Sequence, residues 1–181
     1  MSTVNVSIIS EKEIKFLRPF LFYILGLGCY LSTLLPYMNS LIPQKVSEDI
    51  ILKIPHLDIY IAILAYFLLL FGVFFEGFIL FLVGNLLGAK VNFRYFFKLF
   101  TFANIPMAIR LVVISIKNLF VDHPSTNLIF TEKNIYLSAL NLFNISYLII
   151  LFLLLKYKTE LNNTPLLLLF IAVAFIYRMM F

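Results

Sequence analysis

Apolar residues fall in five long runs, and most of the charged residues lie in the connections between them. The runs cover residues 17–38, 59–87, 95–116, 136–155 and 165–181. Each approaches the roughly 20 residues needed to cross a bilayer as a helix. Backbone groups facing lipid must be hydrogen-bonded within their own segment, so each run predicts a helix. A β-barrel would show apolar–polar alternation in units of roughly 10 residues, which this chain lacks. The pattern therefore predicts an all-α fold: a polytopic integral membrane protein built as a five-transmembrane-helix bundle. Residues 1–16 form a short tail and residues 17–181 the membrane domain.

Local signals refine the spans. Arg18-Pro19 opens the first, and Thr164 followed by Pro165 reads as an N-cap and first helical position for the last. The second run is the longest, which predicts a tilted or protruding helix. The third is less apolar and contains Asn104, Pro106 and Arg110. Between the first two spans, Val46, Ile50, Ile51 and Ile54 form one apolar face behind Ser47. That stretch reads either as a short interfacial helix or as an irregular loop between Pro43 and Pro55.

Composition explains why lipid is required. Of 181 residues, 62% are apolar and 13% charged, with 21 Phe and a mean hydropathy of +1.02. A water-soluble chain of this size would lack the interior to hide so much apolar surface. The net charge of +5 is spread in short clusters at the ends of the runs, so it orients the chain rather than docking nucleic acid. Lys12, Lys15, Arg18, Lys90, Arg94, Lys98, Lys156 and Lys158 fall on one side. Lys45, Lys53, Lys117, Lys133 and Arg178 fall on the other, a bias of eight to five with Arg110 set aside as intramembrane. The expected topology is multi-pass in the cell membrane, with a cytoplasmic N-terminus and an outside C-terminus.

Enzyme signatures are missing. His56 and His123 are the only histidines, and Cys29 is the only cysteine, set in an apolar run as a packing residue. No clustered metal ligands, H-E-x-x-H helix, G-x-S-x-G elbow or phosphate-binding glycine loop occurs. Asp122 beside His123 reads as a solvated pair. No cofactor and no catalytic residue is expected.

The informative polar residues lie inside the spans. Glu76 sits near the middle of the second, where an unpaired carboxylate costs on the order of 2.5–3.5 kcal/mol, so it must face the bundle and find a partner. Arg110 lies about 9 Å deep in the third span, and Asn141 and Asn144 share a stripe with Ser138 on the fourth. Glu76, Arg110, Asn141 and Asn144 thus form one polar layer. It is either a structural clamp, with Arg110 paired to Glu76 or snorkelling, or a substrate, proton or gating site. Gly77, Gly84 and Gly88 make a small-residue stripe, with Gly84 and Gly88 as a G-x-x-x-G for close helix packing within the bundle or between copies.

The stretch Gly84-Asn85-Leu86-Leu87-Gly88-Ala89-Lys90-Val91-Asn92-Phe93-Arg94, followed by Phe102-Ala103-Asn104-Ile105-Pro106, resembles the Yip family of membrane proteins. In that family a long second span ends in a Gly-Gly-Lys-like turn, then a Phe and a basic residue. An aromatic-small-x-x-Pro motif follows in the next span. Here Gly84, Gly88, Lys90, Phe93 and Pro106 carry the match, with Ala89 in place of the second glycine and Phe102-Ala103 in place of Gly-Tyr. The resemblance implies five spans and a cytoplasmic N-terminus. Eukaryotic members use a long cytoplasmic N-terminal region to bind Rab-type GTPases. This chain, with its short tail, looks more like the short prokaryotic members. The expected function is a non-enzymatic membrane scaffold or adaptor whose partners are the lipid bilayer and another integral membrane protein or a second copy of itself. The alternative is a small transporter or channel component using the Glu–Arg–Asn layer.

Overall fold

A computed structural model describes residues 17–45, 56–121, 124 and 140–180, with the side chains of 37–45 excepted. Among the described residues there are six helices and no strand: α1 (Leu17–Lys45), α2 (Leu57–Leu86), α3 (Phe93–Ala103), α4 (Ile105–Asn118), α5 (Leu142–Lys158) and α6 (Thr164–Met180). Two of them, Leu17–Pro36 within α1 and the whole of α2, are long and apolar enough to cross a membrane, and α3 with α4 makes a third if read as one bent span.

Helix α2 turns most of its large apolar side chains outward. Tyr60, Leu64, Phe67, Phe71 and Phe75 of α2 are all exposed, whereas its buried positions are Glu76, Gly77, Leu80 and Gly84. Contiguous exposed apolar surface on that scale suits an apolar surround rather than water. The buried face of α2 is small and polar apart from Leu80, which lets neighbouring helices approach it closely.

The third span departs from the expectation of one helix over 95–116. It is two helices, bent by 41° at Asn104. Pro106 explains where the ladder breaks: it has no N–H to give the preceding turn, and it falls in the first turn of α4, where a donor is not needed. The fourth span also begins later than its apolar run. Its helix starts at Leu142, with Asn141 as N-cap accepting the Asn144 N–H at 2.9 Å. Ser138 lies outside the described residues, as do Asp122, His123 and the apolar face built on Val46, Ile50, Ile51 and Ile54. The first helix continues past residue 38 to Lys45.

Helices α2 and α3 join through a tight turn, here called the turn end. The Ala89 N–H bonds the Gly84 carbonyl (2.9 Å) and the Gly88 N–H bonds the Asn85 carbonyl (3.0 Å), the paired bonds of a Schellman cap. Gly88 takes φ +100°, which a side chain would strain. Gly88 is therefore not the second half of a helical G-x-x-x-G; that expectation is corrected by the helix ending at Leu86. The α5–α6 connection lies on the same turn, with Glu160 N–H to Ala89 O at 3.3 Å and an exposed Lys90–Glu160 ion pair at 3.3 Å.

Around this end lies the core: Leu80, Ala89, Phe96, Phe100, Tyr147, Leu151, Leu155, Phe170 and Ala174. Glycines admit the aromatic rings. A Cβ on Gly77 would lie 2.9 Å from Phe97 and 3.0 Å from Phe100, and one on Gly84 would lie 3.4 Å from Phe96 and Phe170. Helix α1 packs most extensively along α4, and its Gly26 would bring a Cβ within 3.1 Å of the Ala108 carbonyl.

Candidate functional site

Position along each helix sets the site. Counting from the turn end at 1.5 Å per residue, Glu76 of α2, Asn104 at the α3–α4 break and Tyr147 of α5 all lie roughly 15–17 Å in. Arg178 of α6 has its Cα about 21 Å in, but helical side chains lean toward the helix N-terminus. Its guanidinium therefore swings back to the level of the other three.

There the four residues close a single clamp. Arg178 Nε donates to Glu76 Oε1 at 2.7 Å and its Nη2 donates to Glu76 Oε2 at 2.9 Å, a two-pronged pair. The same Nη2 donates to Asn104 Oδ1 at 2.7 Å. Asn104 Nδ2 in turn donates to the Phe100 carbonyl at 3.0 Å, which fixes the carboxamide at the helix break. Tyr147 donates its hydroxyl to Glu76 Oε1 at 3.0 Å, and its ring lies 3.9 Å below the Arg178 guanidinium carbon. Side-chain exposure is only 7% for Glu76 and 11% for Arg178. The Glu76 carboxylate thus ties α2 to α5 and α6, and Arg178 carries the link on to Asn104 at the α3–α4 break.

The expected partner of Glu76 was Arg110, and the structure corrects this. Arg178, counted among the outside charges at the chain terminus, takes both carboxylate oxygens. With Arg178 removed from that count, four basic residues remain on that side (Lys45, Lys53, Lys117 and Lys133) against eight. A signal for Arg178 was present in the sequence. Leu167, Phe170 and Ala174 are the buried positions of α6, and Arg178 continues their three-then-four spacing by one more turn. Likewise Tyr147 continues the spacing Asn144, Tyr147, Leu151, Leu155 on α5. In runs that are apolar on every face, that stripe is hard to tell from its neighbours.

Beyond the clamp, toward the end opposite the turn, lies an open cavity of about 670 Å³. Glu76, Arg110, Asn141 and Asn144 all line it, so the sequence-derived layer is brought together around one space, though not by a Glu76–Arg110 bond. Asn141 is there as the α5 cap rather than as a mid-helix residue. Tyr23, Leu68, Gly72, Val73 and Met107 supply much of the remaining wall. The Nε of Arg110 is buried and has no hydrogen-bond partner among the described residues.

Gly84, Gly88, Lys90, Phe93 and Pro106 lie elsewhere, and each has a visible structural duty. Gly84 and Gly88 cap α2, and Phe93 sits among Phe74, Phe78, Phe81 and Phe97 with ring centroids 5.3–5.9 Å apart. Lys90 carries the exposed pair to Glu160, and Pro106 starts α4. Asn85 braces the loop by two hydrogen bonds with the Val91 backbone, its Nδ2 donating to the carbonyl and its Oδ1 accepting from the N–H, both at 3.0 Å. Asn92 caps α3 by accepting the Tyr95 N–H at 2.7 Å. No group of three or more metal-ligating side chains occurs among the described residues.

A model of the Yip1 domain matches residues 6–181, so the likeness read from the turn motif extends over nearly the whole chain. Neither a curated protein nor a solved structure matches it.

Proposed function

From the premise that the chain belongs to the Yip1-domain family of membrane proteins, we propose that it is a non-enzymatic membrane scaffold or adaptor. In this reading it is a five-span protein of the cell membrane that binds another integral membrane protein through its helix faces. The observation that carries this reading is the saturation of the central carboxylate. Both oxygens of Glu76 are engaged by Arg178 and one also by Tyr147, which is how a buried charge is held in place rather than offered to a proton or substrate. The exposed aromatic and aliphatic face of α2, including Leu64, Phe67 and Phe71, is the surface assigned to the partner.

Placing a photocrosslinking amino acid at Leu64, Phe67 or Phe71 in membranes tests this. Discrete protein adducts at these positions, with none from the buried Phe100, are expected. Adducts to lipid alone at all three would refute the adaptor role. The transporter reading draws on the cavity beside the clamp. It predicts flux of a small solute into proteoliposomes that Glu76→Leu abolishes while the protein still folds.

A further inference from the structure

The cavity beyond the clamp has a charge that the clamp does not balance. Glu76 is spent on Arg178, and Arg110 adds a second guanidinium to the same wall. Among the described residues Arg110 has no ion pair, and its buried Nε has no hydrogen-bond partner. A guanidinium held in an apolar surround is costly unless an anion or ordered acceptors meet it.

Two further features share that wall. Asn141 and Asn144 at the start of α5 line it, and although the Asn144 N–H is taken by the Asn141 cap, the start of a helix carries partial positive charge. The α2 part of the lining is largely apolar: Leu68 and Leu69 line the cavity and are exposed, next to the exposed Leu64, Phe67 and Phe71 of the same helix, so an apolar stretch of α2 runs on from the cavity wall.

We propose that this cavity binds the phosphate group of an anionic phospholipid. Arg110 meets the phosphate, the start of α5 faces it, and an acyl chain follows Leu68 and Leu69 along α2. A phosphate fits better than a planar carboxylate because its several acceptor oxygens diverge in three dimensions, so it can meet the Arg110 guanidinium while its charge lies against the positive start of α5. The apolar exit favours a lipid over a free anion, since a soluble ion would gain nothing from that wall. The inference is independent of the adaptor reading: a lipid site neither requires nor forbids a protein partner.

The test uses the full chain, purified in mild detergent and titrated with dioleoyl phosphatidylglycerol, dioleoyl phosphatidylcholine, or inorganic phosphate. Thermal unfolding and native mass spectrometry are the readouts. Phosphatidylglycerol should raise the melting temperature by several degrees and remain bound in the gas phase. Phosphatidylcholine should bind at least tenfold more weakly, and inorganic phosphate should have no effect at millimolar concentration. Arg110→Gln should abolish the preference for phosphatidylglycerol, whereas Lys90→Ala, which removes an exposed charge at the turn end, should keep it.

If Arg110→Gln does not fold, Gly72→Leu decides the matter. Gly72 lines the cavity and a Cβ there meets nothing within 4 Å, so a leucine added at this wall should compete with the lipid for the space. Equal stabilisation by the two lipids, or a phosphatidylglycerol preference surviving either cavity variant, would overturn the proposal. A full shift with inorganic phosphate alone would also overturn it, reassigning the site to a soluble anion.

Discussion

At the turn end, Phe96, Phe170 and Ala89 pack around Gly84 at contact distance, and Phe97 and Phe100 close around Gly77 so tightly that a methyl group there would have to push a ring aside. At the opposite end, Gly72 lies on the same helix and faces empty space beside Arg110. One helix thus carries two glycines with opposite meanings, divided by the Glu76–Arg178 clamp. The turn end gains stability from ring-on-ring packing and a capped turn; the open end keeps a guanidinium and a helix start around a cavity. The contrast indicates that substitutions at the turn end act on stability, and that those at the open end act on what is bound.

The clamp is where this contrast breaks most severely. Glu76→Leu leaves Arg178 buried without its carboxylate, and should cost roughly 3–5 kcal/mol of stability. Thermal unfolding in detergent and the monodisperse yield measure it. Glu76→Leu with Arg178→Leu and Tyr147→Phe should recover much of the loss, because no orphaned charge or hydroxyl remains at the carboxylate. Glu76→Leu with Arg110→Leu should recover none of it, and recovery there would restore the Glu76–Arg110 pairing.

The two glycines of α2 sharpen the comparison at the next level. Gly77→Leu must displace Phe97 and Phe100 and should destabilise by about 1–3 kcal/mol. Gly72→Ala, in open space, should melt within about 1 kcal/mol of the parent. Equal effects at the two positions would mean that the ends are packed alike.

A smaller effect is expected at the turn itself. Gly88→Ala puts a side chain at φ +100° with nothing crowding it, so only backbone strain acts, on the order of 1–2 kcal/mol. Hydrogen exchange of the Ala89 amide, which closes the cap on Gly84, should quicken along with the drop in melting temperature. An unchanged exchange rate would show that the cap contributes little.

Much of this was legible in the chain. The apolar runs marked helices, because only an internally bonded backbone tolerates an apolar surround. The turn over Gly84–Phe93 was marked only through the family resemblance; read from the residues alone, Gly88 passed for a helical packing glycine, whereas it takes φ +100° and Asn92 caps the next helix. Asn104 and Pro106 stood out within the third run, but the 41° bend between α3 and α4, both of which pack on α5, was not read from them.

The identity of the Glu76 partner was not legible. Mid-span depth required that Glu76 have a partner, yet three candidate cations or amides lay within reach by axial distance alone. Axial depth leaves the rotation of each helix and the choice of neighbours undetermined. Arg178 entered the clamp only through a side chain leaning back toward its helix start and through α6 packing beside α2.

By itself, then, the sequence determined that the chain is helical along its apolar runs and that a buried carboxylate must be neutralised, since these follow from local hydrogen bonding and desolvation. Tertiary structure alone decided that Arg178 rather than Arg110 does so, leaving Arg110 at the cavity wall. Pairing of that kind depends on how helices distant in sequence are rotated against one another, and runs that are apolar on every face carry almost no record of it.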